Sequence, residues 1–169
     1  GGVGGAVVVT GGATSSTDSQ GRGGNVEVRG GSSNAGEGGS VILLTGKSDD
    51  ATSGALIMRT EDSGTAGASG SVIVKTGKAT GGAGGSMTLT VGEGDTGNGG
   101  AMTLTAGKTT ETSAVGGAVT ITAGEADDSS SGGTGGAMTL TAGAGAATGG
   151  EVTIKAGQGT TADGGDVTL

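Results

Sequence analysis

Few side chains in this protein could do chemistry. Of 169 residues none is His, Cys, Tyr, Phe, Trp or Pro, so acid–base or nucleophilic work would fall to carboxylates, Lys, Ser and Thr alone. The acids gather in pairs, at Asp49/Asp50, Glu61/Asp62, Glu93/Asp95 and Asp127/Asp128. Each pair stands in or next to a connection rich in small and polar residues, without the apolar surroundings that would make one carboxyl an acid and the other a base. Solvated loops explain the pairs, and the chain is read as a non-enzyme without catalytic residues, cofactor-binding residues or metal ligands. Zero cysteine removes disulfides and thiolate metal sites. A net charge of -8, from 16 acidic and 8 basic residues, together with the lack of aromatics, removes the basic stripe and stacking platforms that nucleic acid needs.

The elements that carry these residues repeat. The stretch GGAVTITAG at 116–124 has counterparts along the whole chain, and the second glycine of each copy falls at Gly5, Gly24, Gly39, Gly54, Gly70, Gly85, Gly100, Gly117, Gly136, Gly150 and Gly165. Eleven short repeats of roughly 15 residues follow, the mark of an array built from one small element. The alternating run keeps its length, and the connection absorbs the variation. A content of 45 glycines without proline excludes collagen, which needs both a strict period and proline. The regular apolar pattern argues against plain disorder.

Within each run two aliphatic positions alternate with two others. The invariant side carries Val7/Val9, Val26/Val28, Val41/Leu43, Leu56/Met58, Val72/Val74, Met87/Leu89, Met102/Leu104, Val119/Ile121, Met138/Leu140, Val152/Ile154 and Val167/Leu169. Alternation of this kind predicts strands with one face buried. The other side varies. It bears Glu27 and Arg29, then Ile42, Leu44, Ile57 and Ile73, then Thr88/Thr90, Thr103/Thr105, Thr120/Thr122 and Thr139/Thr141. Aliphatics on both faces imply a cover on both, so Ile42, Leu44, Ile57 and Ile73 form a candidate lateral interface.

The connections are longer than two-residue hairpin turns, which suits parallel winding better than adjacent hairpins. The expected fold is all-β: a parallel β-solenoid of eleven short strands with Gly-rich turns over 1–169, with two repeats of about 15 residues per coil, or alternatively one. In that fold the aliphatics line a thin core, and Val119→Asp would unfold its own coils. The chain starts on Gly1 inside a repeat and is read as a segment of a longer or polymeric assembly. No apolar run reaches the roughly 20 residues of a membrane span, and no charged-then-apolar leader precedes the first repeat.

Three resemblances add expectations. Gly92-Glu93-Gly94-Asp95 is similar to one copy of the Gly-Gly-x-Gly-x-Asp element of calcium-binding β-rolls, but a built site requires that element to repeat. The Thr-x-Thr rows at Thr88/Thr90, Thr103/Thr105, Thr120/Thr122 and Thr139/Thr141 resemble the water-ordering faces of β-solenoid antifreeze proteins, which implies an ice- or surface-binding role as the alternative function. As a whole the chain resembles Gly/Ser/Thr-rich tandem-repeat extracellular structural proteins of the microalgal, diatom type, through units such as GGAVTI. That resemblance implies an extracellular or cell-surface structural role, with filaments or matrix formed by end-to-end stacking of coils and the chain itself as partner. No cofactor is implied. Asn25, Asn34 and Asn98 lack the N-glycosylation sequon, whereas the Ser/Thr-rich loops are candidates for O-linked glycans.

Overall fold

The computed structural model describes residues 3–18, 20–127, 132–160 and 162–168. It divides into two halves, Gly1–Met87 and Thr88–Leu169. Among the described residues neither half contains a helix or a strand, and neither contains a buried side chain. The β-solenoid expected from the alternation is therefore overturned, with either one or two repeats per coil. Accessible surface amounts to 16375 Å², where a compact chain of this mass would expose about 7,100 Å² and an unfolded one about 22,000 Å².

What persists is the repeat itself. Each repeat starts with an eight-residue cassette, running from its anchor glycine (position 1) to a closing residue (position 8), which is glycine in nine of the ten complete copies and Glu61 in the other. The cassettes are extended but unpaired. Side chains two apart meet on one side, as in Arg29–Glu27, in Arg59–Glu61 at 3.2 Å and in the Thr153 hydroxyl donating to Glu151 at 2.8 Å. Extended backbone puts i and i+2 on one side, and β-branched Val, Ile and Thr favour it.

Order beyond the cassette lies at the base of seven of the ten connections. In the first half the amides of Gly24, Gly39 and Gly54 donate to the carbonyls of Gly12, Gly31 and Gly46 at 2.7–2.9 Å. In the second half those of Gly117, Gly136, Gly150 and Gly165 donate to Gly107, Gly124, Gly143 and Gly157 at 2.8–2.9 Å. Every one of these bonds joins position 8 of one cassette to position 1 of the next. The loops so closed run from six residues (144–149) to eleven (13–23 and 125–135), so the bond makes the entry of the next cassette independent of loop length. Because closure entropy grows only slowly with length, such insertions cost little. The three connections without this bond, 62–69, 78–84 and 93–99, each turn through a glycine at positive φ: Gly67, Gly81 and Gly97.

Two positions beside the closing residue receive what shielding the chain provides. The half-buried described residues are Gly11, Ala106, Ala123 and Ala142 at position 7, and Ser48, Ala79, Thr109, Ala126 and Gly159 at position 10. Position 10 is Gly, Ala, Ser or Thr in all ten loops. At four of the five loops where it is Ser or Thr, Ser63 being the exception, its hydroxyl accepts from a loop amide. Thr14 accepts from Ser16 N–H at 3.2 Å, Ser33 from Gly36 at 2.9 Å, Ser48 from Ala51 at 2.9 Å and Thr109 from Glu111 at 3.1 Å. These are the local side-chain-to-backbone bonds that bend loops. In the shortest loop position 10 is Gly145, and an added Cβ there would overlap the Thr148 carbonyl. Substituting Ser33 and Ser48 with alanine is expected to release the Gly36 and Ala51 amides, at about 1 kcal/mol per lost bond. NMR amide temperature coefficients should then become more negative at those two residues and stay unchanged at Gly150 and Gly165.

The same geometry shows why no coil closes. In seven of the ten connections one hydrogen bond fixes where the next cassette begins, but among the described residues no ladder of backbone bonds joins one cassette to another. With 45 glycines to order and no aromatic side chain to bury, the chain's own apolar surface does not repay the entropy of closing a coil. Val119 is 56% exposed, so the expectation that Val119→Asp unfolds a core is overturned as well.

Candidate functional surface

Every described Val, Leu, Ile and Met is exposed, from 42% at Val91 upward. A monomer seldom leaves so much aliphatic surface in water. The two sides of the cassettes are nevertheless unequal. In the third cassette Val41 and Leu43 are 50% and 65% exposed, against 73% and 89% for Ile42 and Leu44. Ile57 and Ile73 likewise stand further out than their neighbours Leu56 and Met58, and Val72 and Val74. In these three cassettes the sidedness read from the alternation is present, whereas in the first Val8 is no more exposed than Val7, and neither side is covered. Leu169 of the invariant side lies outside the described residues.

Ile42, Leu44, Ile57 and Ile73 all belong to the first half, on consecutive cassettes, and all are exposed. Thr88, Thr90, Thr103, Thr105, Thr120, Thr122, Thr139 and Thr141 are exposed on the second half. Among the described residues no backbone ladder joins those four cassettes. Their hydroxyls therefore lack the sheet that would hold them in a flat, regularly spaced plane.

The charged groups make short-range pairs only. Lys47 meets Asp49 at 2.5 Å beside the Arg29–Glu27 and Arg59–Glu61 pairs, with all six side chains at least 63% exposed. Exposed pairs of this kind contribute little to stability. Among the described residues no three carboxylates converge on a position that could hold a metal ion. Asp128, the second member of one acid pair, lies outside the described residues. No helix among the described residues is long and apolar enough to cross a membrane. No family model, curated protein or solved structure matches the chain.

The sequence reading passed over positions 7 and 10, the only half-buried places on the described chain. The signal was present. Ten loops of unequal length and varied composition all carry a small residue two places after the closing residue.

Proposed function

We propose that this chain is a structural protein whose working form is an assembly of its own copies, in an extracellular or cell-surface setting. The observation that supports it is the exposed row of aliphatic side chains repeated along the invariant side of the cassettes. A surface of this kind loses free energy to water at about 25 cal/mol per Å² and regains it when another apolar surface covers it. A second copy presents the same row at the same spacing, so one contact between two cassettes brings the next pair into step. That commensurability favours self-association over capture of an unrelated partner. The absence of His, Cys and aromatics leaves the chain little else to act with. Its Ser/Thr-rich loops, exposed along the chain, suit O-linked glycans that would keep such an assembly hydrated.

Negative-stain microscopy across a concentration series tests this. Elongated or networked particles that grow with protein concentration are expected. Dispersed particles of one chain each, at every concentration, would contradict it.

A further inference from the structure

Position 9, the residue that directly follows each cassette, carries a charge in six consecutive repeats: Lys47, Asp62, Lys78, Glu93, Lys108 and Glu125. The sign alternates at every step. All six residues are exposed, and three of the chain's five lysines stand in this one position. The row is neutral within a chain of net charge -8. Because position 9 adjoins the cassette, its register follows the invariant aliphatics and is unaffected by the length of the loop beyond it.

The boundary between the halves divides the row evenly. The first half bears Lys47, Asp62 and Lys78, in the order plus, minus, plus. The second half bears Glu93, Lys108 and Glu125, in the order minus, plus, minus. Each triplet reads the same in both directions, and this has a definite consequence for pairing. Two first halves, or two second halves, laid alongside in register meet like against like whether they run parallel or antiparallel. A first half against a second half meets opposite charges at all three places, again in either direction.

We infer that the self-association proposed above is heterotypic: the first half of one copy docks along the second half of another, with position 9 selecting the register. This inference rests on that reading. The aliphatic row supplies attraction but cannot tell one repeat from the next, because all repeats carry it. The charge row supplies the discrimination, chiefly by penalising homotypic pairing in register and heterotypic pairing slipped by one repeat, while the heterotypic register alone matches all three places of a triplet. Reciprocal docking of two copies closes into a two-fold dimer, whereas docking onto successive copies propagates.

Two triple inversions test this by sedimentation at low ionic strength. The first is Lys47→Glu, Asp62→Lys and Lys78→Glu, and the second is Glu93→Lys, Lys108→Glu and Glu125→Lys. Each inverted chain alone has matching triplets on its two halves, and its association is expected to weaken about tenfold, an effect lost in high salt. An equimolar mixture of the two should regain the association of the parent, as should a single chain carrying all six changes, whose net charge equals the parent's. Association of each inverted chain as strong as the parent's would overturn the charge pairing while leaving self-association through the aliphatic row intact. A mixture that fails to recover would overturn it too. A parent that never associates would overturn both.

Discussion

A chain carrying Val119→Asp and Ile121→Asp should lose association while keeping the solution properties of the monomer. Both side chains are more than half exposed, at 56% and 66%, so in the free chain the new carboxylates remain hydrated. In the assembly the same carboxylates would be covered by the aliphatic row of another copy with no cation facing them. An unpaired charge in an apolar contact costs several kcal/mol, enough to lower the association constant of that contact by at least about a thousandfold. The circular dichroism spectrum at low concentration should match that of the parent. Weakened association without any change in the monomer is the signature expected. A changed monomer spectrum would mean that these residues hold the chain's own structure together.

The second large effect concerns the outer side of the first half. Replacing Ile42, Leu44, Ile57 and Ile73 together with threonine keeps β-branching at three of the four sites and installs what Thr103 and Thr139 already provide in later cassettes. The extended backbone should therefore survive. Each substitution removes about 1 kcal/mol of apolar contact from any surface that covers this side, roughly 4 kcal/mol together, or close to three orders of magnitude in lateral association. Light scattering at matched concentrations reads the difference between this variant and the parent. Equal scattering would mean that the outer aliphatics face only water.

Much of the local organisation was legible in the sequence. The constant cassette, the variable connection and the distinction between the Val41/Leu43 side and the Ile42/Leu44 side all follow from alternation and glycine spacing, and all are present in the structure. What covers the invariant side was not legible. Alternation shows that an extended segment has two unlike sides, but it does not show what covers either one. For Val119 or Leu140 the same pattern serves equally for a core within the chain and for a contact between chains. Choosing the solenoid meant supplying a cover from within the chain, and the exposed aliphatics of both halves remove that choice. The base bonds, such as Gly39 to Gly31, depend on two glycines separated by a loop of any length. They become apparent only when position 8 of one cassette is set against position 1 of the next. The charge row was hidden for a similar reason, since its spacing of 15 to 17 residues is regular only when counted from the cassettes.

Sedimentation velocity of the purified protein over a wide concentration range tests the central claim most directly. If the aliphatic row is an intermolecular surface, the weight-average mass must rise with concentration from the 15.2 kDa of a single chain to multiples of it, and the rise must persist in high salt, because apolar burial is not screened. A single 15.2 kDa species at every concentration and every salt would show that the exposed aliphatics meet only water, and would contradict the account.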